Sequence, residues 1–72
     1  MINDDFYTKL GNNIKRRREF LGLSQQQLAD AVGVGINHIG KIEVAYSKPS
    51  LDLLILIAEA LGVTLSELSK FN

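Results

Sequence analysis

Apolar residues recur at three- and four-residue spacing through most of the chain, and no stretch alternates cleanly between apolar and polar. That pattern predicts helices and argues against strands. Phe6, Leu10, Ile14 and Leu21 form one stripe, which predicts helix 1 over about Asp5 to Leu21. Asp4 and Asp5 suit its positive N-terminal end, and Gly22 is a natural stop. Arg17 interrupts the stripe between Ile14 and Leu21, so its aliphatic stem is expected to cover the core edge while the guanidinium reaches water. Ser24-Gln25-Gln26-Gln27 has the form of a capping box and opens helix 2, whose apolar positions are Leu28, Ala29 and Val32. Gly33-Val34-Gly35 then predicts a tight turn.

Helix 3 is expected from about Ile36 to Val44, with Ile39 and Ile42 turned inward and Asn37, His38, Gly40 and Lys41 outward. Ala45 to Lys48 reads as a loop, held open by Pro49, which biases Lys48 toward an extended backbone. Ser50 caps helix 4, expected over Leu51 to Leu61 and ended by Gly62. A second capping box, Thr64-Leu65-Ser66-Glu67, opens helix 5, which is expected to end near Phe71. The pattern therefore predicts an all-α fold in one domain over residues 1–72.

Composition narrows the function classes. Hydrophobic residues make up 46% of the 72, enough for a core. There is no cysteine, so disulfides and thiolate metal sites are excluded. No apolar run approaches the roughly 20 residues of a membrane span and no secretory signal is visible, so no membrane association and a cytoplasmic location are expected. The formal net charge is zero, yet it is unevenly placed. Met1 to Gly22 carries five bases and three acids, while Leu51 to Asn72 carries one base and three acids. One end is expected to be positive and the other negative. The acids show no catalytic spacing, nor do Ser24, Asp30 and His38, so enzyme chemistry has little support. His38 has neither a second histidine nor a cysteine for company, which excludes an obvious metal site. No cofactor and no small-molecule ligand are expected.

Two short helices joined by a glycine-containing turn of about three or four residues form the unit that lays a second helix in the DNA major groove. Residues 24–43 fit it: a polar cap, a glutamine-rich first turn, an apolar pair, a glycine turn and a short amphipathic helix. The helix 2 N-terminus, with Gln25 and Gln26, can aim N–H groups at a phosphate. Arg16, within the basic run Lys15 to Arg18, is a further phosphate candidate, although such runs are usually solvated faces. His38 and Lys48 are others, and Tyr46 either bonds a phosphate or covers the loop.

From about Leu10 to Leu68 the chain resembles the lambda-repressor-like (Cro-type, XRE) helix-turn-helix family. The resemblance rests on Leu23-Ser24-Gln25-Gln26-Gln27-Leu28-Ala29, Gly33-Val34, Ile39-Gly40-Lys41-Ile42-Glu43, Pro49-Ser50-Leu51 and Ala60-Leu61-Gly62-Val63. It implies a five-helix fold, a homodimer on a roughly palindromic operator in double-stranded DNA, and transcriptional regulation. It also implies that Gln25 contacts phosphate and a base edge. Ile36 and Asn37 then open the recognition helix, with Lys41 one turn on. Asn37 could pair with adenine, Ile36 could meet a thymine methyl, and Lys41 could reach guanine or phosphate. Arg18 and Glu43 occupy positions of an internal ion pair in such proteins. Departures are Gly35 where a Ser or Thr cap is usual, Gly40 inside the helix, Arg17 at a usually aliphatic position, and a loop with Lys48 as its one charge.

Helix 4 is apolar nearly all round, as expected of a helix covered on more than one side. The resemblance places Leu54, Ile55, Ala58 and Leu61 in the core and leaves Leu53 and Leu56 outside. These two, with Ile57, Ala60 and Phe71 nearby, are the expected dimer interface. The competing class is a helix-turn-helix scaffold whose main partner is a protein, such as an antitoxin or accessory subunit.

Overall fold

The computed structural model describes residues 4–71, except the side chain of Asp4. The expectation for Asp4 at the helix N-terminus, and part of the N-terminal reading, therefore lie outside the described residues. Five helices follow in order: α1 Asp4–Phe20, α2 Gln25–Val32, α3 Ile36–Glu43, α4 Leu51–Ala60 and α5 Leu65–Leu68. Among the described residues there is no strand, and no helix is long and apolar enough to cross a membrane.

Local chemistry sets the helix ends. The α2 capping box is complete: the Gln27 N–H donates to Ser24 Oγ (3.0 Å) and the Ser24 N–H to Gln27 Oε1 (2.8 Å). Gly33 then turns left-handed at φ 77° and donates its N–H to the Ala29 carbonyl. Ser50 caps α4 through the Leu53 N–H. Thr64 and Glu67 form the second complete box. The Thr64 N–H and hydroxyl hold the Glu67 carboxyl below its ordinary value near 4.5, against a weaker opposing effect of burial.

The main helix packings are α1 on α3 and α5, α2 on α3 and α4, and α4 on α5. Leu10 and Ile14 of α1, Leu28 and Ala29 of α2, Ile39 and Ile42 of α3, Ile57 of α4 and Leu61 just past its end share one core cluster, all essentially inaccessible. The α1 stripe does not continue to Leu21. The helix stops at Phe20, Gly22 reverses the chain at φ 73°, and Leu23 packs on the core while Leu21 faces water. Arg17 is half-buried, and part of its guanidinium is engaged by the fold. Its Nε donates to the Leu61 carbonyl (2.9 Å), satisfying an acceptor at the end of α4.

Helix α5 is one turn long and ends at Leu68 rather than near Phe71. The Asn13 amide of α1 donates to the carbonyls of Leu68 (2.9 Å) and Lys70 (3.1 Å), so α1 caps this end from outside. Phe71 folds back onto Phe6, ring edge to face at 5.5 Å.

The expected interface on α4 is corrected at several positions. Leu53 and Ile57 are core residues, 8% and 0% exposed. Ala60 is half-buried against the core, and Phe71 is engaged by Phe6. Only Leu56 of the five is exposed. Ile55, expected inside, is exposed as well, together with Leu51. α4 is rotated relative to the expectation because α2 and α5 both pack on it, and the side that packs on them takes Leu53, Ile57 and Ala58.

Candidate nucleic-acid interface

A buried ion pair fixes the start of α2 against the end of α3. Arg18 Nε donates to Glu43 Oε2 (2.7 Å) and Nη2 to Oε1 (3.1 Å), while Nη1 donates to the Leu23 carbonyl (2.8 Å). The hydrogen bond to Glu43 raises the Arg18 pKa further above its ordinary value, and burial opposes that rise. A third donor reaches the same carboxylate, because Gln25 Nε2 bonds Glu43 Oε1 at 3.0 Å. The expected ion pair is thus part of a relay from α1 through α3 to the first residue of α2.

The relay places Gln25 beside the outer face of α3. Together Gln25, Ile36, Asn37, Gly40, Lys41, Val44 and Tyr46 line an open groove of about 470 Å³. Ile36 is 40% exposed and Asn37 and Lys41 are exposed. The Lys41 ammonium lies over the Tyr46 ring, 5.7 Å from its centre. Gly35 starts α3 with an extended backbone and no side-chain cap. The start of α3 is therefore uncapped by a side chain, and the His38 and Ile39 N–H groups turn to the Gly35 carbonyl instead.

Five of the expected contact residues thus meet in one groove: Gln25, Ile36, Asn37, Lys41 and Tyr46. The others stand apart. Gln26 turns to Asp30, donating at 2.8 Å, and His38 is exposed but does not line the groove. Lys48 sets its ammonium over the Tyr7 ring of α1, 5.2 Å from the centre. Arg16 lies about 160° around α1 from Arg18. It lines a separate cleft with Lys9, Asn12, Asn13, Lys70 and Phe71, so it is not part of the groove.

Two groove residues were not singled out as contacts from the sequence, Gly40 and Val44. The signal was present: Ile36, Gly40 and Val44 recur every four residues and so share one face. Beyond them the chain turns on Ala45, left-handed at φ 63°, which lets the Tyr46 and Ser47 N–H groups bond the Lys41 carbonyl. That turn carries Tyr46 back to the groove.

Residues 14–68 match the family model described as helix-turn-helix. The chain belongs to this family. Among its relatives is the SPbeta prophage-derived uncharacterized HTH-type transcriptional regulator YonR of Bacillus subtilis, 35% identical over 60 residues. Another is the control protein C.SmaI of Serratia marcescens, 34% identical over 59 residues. These alignments take in 83% and 82% of this chain. The chain spans 56% of YonR, little more than half of it, and 70% of C.SmaI. The solved structure of the restriction-modification controller protein C.AhdI from Aeromonas hydrophila matches with a TM-score of 0.83 at 31% identity. That match covers 86% of this chain and 94% of C.AhdI. The five-helix, lambda-repressor-like fold expected from the sequence is the fold found. The relatives are regulators and control proteins rather than enzymes.

Proposed function

We propose that the chain is a sequence-specific DNA-binding regulator of transcription, a single helix-turn-helix domain working in the cytoplasm as a homodimer on a near-palindromic operator. The observation that carries this reading is the groove on α3. It gathers an amide reader, a cation and exposed apolar carbon on one rigid helix whose inner face is locked by Ile39 and Ile42. Each α3 enters the major groove of one half-site, with half-sites about 34 Å apart. Asn37 pairs with adenine, Gln25 and Lys41 reach base edge or phosphate, and His38, Tyr46 and Lys48 flank the helix toward the backbone. The names of C.AhdI and C.SmaI, both control proteins, support a controller role.

Binding-site selection from random duplexes tests the reading. Asn37→Ala is expected to relax the preference at one base pair, a cost of about 1–3 kcal/mol. Lys41→Ala is expected to weaken all sites alike and to lower the salt slope by about one contact. Failure to enrich any sequence would favour a protein-interaction scaffold instead.

The dimer surface is the exposed arc of α4 formed by Leu51, Ile55 and Leu56. Ile55→Asp with Leu56→Lys leaves the core residues Leu53 and Ile57 in place. Sedimentation is expected to give a monomer of unchanged helical circular dichroism. A variant that still sediments as a dimer places the interface elsewhere.

A further inference from the structure

We infer that the cleft on the back of α1 is a docking site for an acidic helix of a partner protein, with Lys9, Arg16 and Lys70 recognising its carboxylates. The inference goes beyond the DNA-binding reading and uses it for two points only, that the duplex lies on α3 and that the dimer covers the arc of α4.

Three observations carry it. First, the cleft gathers positive charge without the acids that would balance it. It holds about 370 Å³, and its charged lining is Lys9, Arg16 and Lys70. Lys9 has an exposed partner in Asp5 at 3.2 Å, whereas the Arg16 and Lys70 side chains form no ion pair or hydrogen bond with any described residue. The whole chain carries eight acids for its eight bases, so the excess is local. Second, the cleft is built before a ligand arrives. The Asn13 amide holds the carbonyls of Leu68 and Lys70, and Phe71 packs on Phe6, which pins the wall bearing Lys70 to α1. The Lys9 ammonium lies 5.9 Å from the centre of the Phe71 ring at the same wall. Third, the charges have a repeat. Lys9, Asn12 and Arg16 follow one another at three- and four-residue spacing on one face of α1. The two cations are therefore two turns apart, about 10 Å along the axis.

A helix laid along α1 with two carboxylates seven residues apart has that same repeat. One carboxylate meets the Arg16 guanidinium, which can donate two parallel bonds, and the other meets Lys9, with Lys70 facing both from the opposite wall. Other occupants fit less well. Arg16 lies about 160° around α1 from Arg18, which packs toward α2 and α3, so a duplex on α3 is on the far side. A phosphate group needs donors converging on one point, and cations two turns apart do not converge. A second copy offers Asp52 and Glu59 of α4 at the right spacing, but both fall between Leu51 and Leu56 on the arc that the proposed dimer covers.

The test is an amide NMR titration of the intact chain with a synthetic alanine-rich helical peptide carrying two glutamates seven residues apart. Saturable shifts are expected around Lys9 to Arg16 and Leu68 to Phe71, weakening as salt is added. Arg16→Gln with Lys70→Gln, both at exposed positions, should keep the circular dichroism and lower the affinity at least about tenfold. Lys15→Gln, which removes a charge outside the cleft, should change it by less than about twofold. A peptide with its glutamates five residues apart, on different faces, should bind as weakly as the double variant. Adding the duplex selected from random sequences should leave the peptide affinity within about twofold, since the molecule is 20 to 21 Å across its shorter axes, about two screening lengths. Equal binding of the two peptides, or an unaffected double variant, overturns the docking site. So does the same set of shifts from inorganic phosphate at equal concentration, which would show an adventitious ion only. Displacement of the peptide by the duplex makes the cleft a DNA contact, and a double variant that sediments as a monomer makes it an interface between copies; either overturns the proposal. All of these leave the regulator reading standing. Peptide binding with no duplex sequence selected removes the regulator reading and upholds the cleft.

Discussion

Gly11→Ala is expected to cost about 3 kcal/mol or more and to lower the melting temperature by at least about 12 °C. Alanine is the better helix former, so helix propensity alone predicts a gain of about 1 kcal/mol. Packing reverses the sign. Gly11 is buried where α1 crosses the end of α3. A Cβ there would lie 2.7 Å from the Glu43 carbonyl oxygen and 2.9 Å from its carbon, and closer still to the Ile42 carbonyl oxygen. All three are backbone atoms, which cannot rotate aside as a side chain can. Either α1 moves outward or α3 loses its last turn. Both outcomes disturb Leu10 and Ile14 in the core and the Arg18–Glu43 pair beside them. Gly40→Ala is the internal control: the same substitution inside another helix, where a Cβ would meet only the Gln25 amide, at 3.7 and 3.8 Å, with the opposite stability outcome expected. Thermal unfolding followed by circular dichroism checks both. A Gly11→Ala protein that melts at or above the wild-type temperature would show that the two helices are not in close contact.

The contrast between these glycines shows which features were legible in the sequence. Helix ends were, because a cap is a contract between residues three apart. Ser24 with Gln27, Thr64 with Glu67, and Gly33 each needed only their own neighbours. The rotation of α4 was not legible. A helix apolar on every side carries no phase, so Leu53 and Ile55 exchanged their expected places, and only the packing of α2 and α5 decides between them. Gly11 answers to carbonyls more than thirty positions away, and Arg17 to Leu61. Neither partner is visible in local spacing. The Arg18–Glu43 pair was expected from family resemblance alone, since nothing in a separation of 25 positions marks two charges as partners. The third member, Gln25, had been assigned to DNA and proved to be tied to the pair as well.

That tie makes Glu43 the position at which folding and reading can be separated. Glu43→Ala is expected to cost about 3–5 kcal/mol, because it strands a buried guanidinium. Arg18 retains the Leu23 carbonyl as acceptor but loses both bonds to the carboxylate. Domains of this kind are stable by about 5–15 kcal/mol, and a chain of 72 residues belongs at the low end, so much of the protein should unfold at 37 °C. Raising the pH offers no rescue, since arginine stays charged throughout the usable range. Replacing both partners has a different effect. Arg18→Met with Glu43→Leu removes the charges together and fills the space with apolar carbon, and such exchanges are often neutral or stabilising. The double variant is therefore expected to recover most of the stability lost in Glu43→Ala, as urea unfolding would show. It should not recover DNA recognition. Gln25 Nε2 would have no acceptor at 3.0 Å to hold its amide over Gly40, so the side chain would sample several rotamers. On the proposed DNA-binding reading, binding-site selection should show a relaxed base preference, with affinity for non-specific DNA unchanged. A double variant that folds and selects the wild-type site with wild-type sharpness would reduce the ion pair to a structural brace. Loss of preference in a folded protein would make it a positioning element for the reading head.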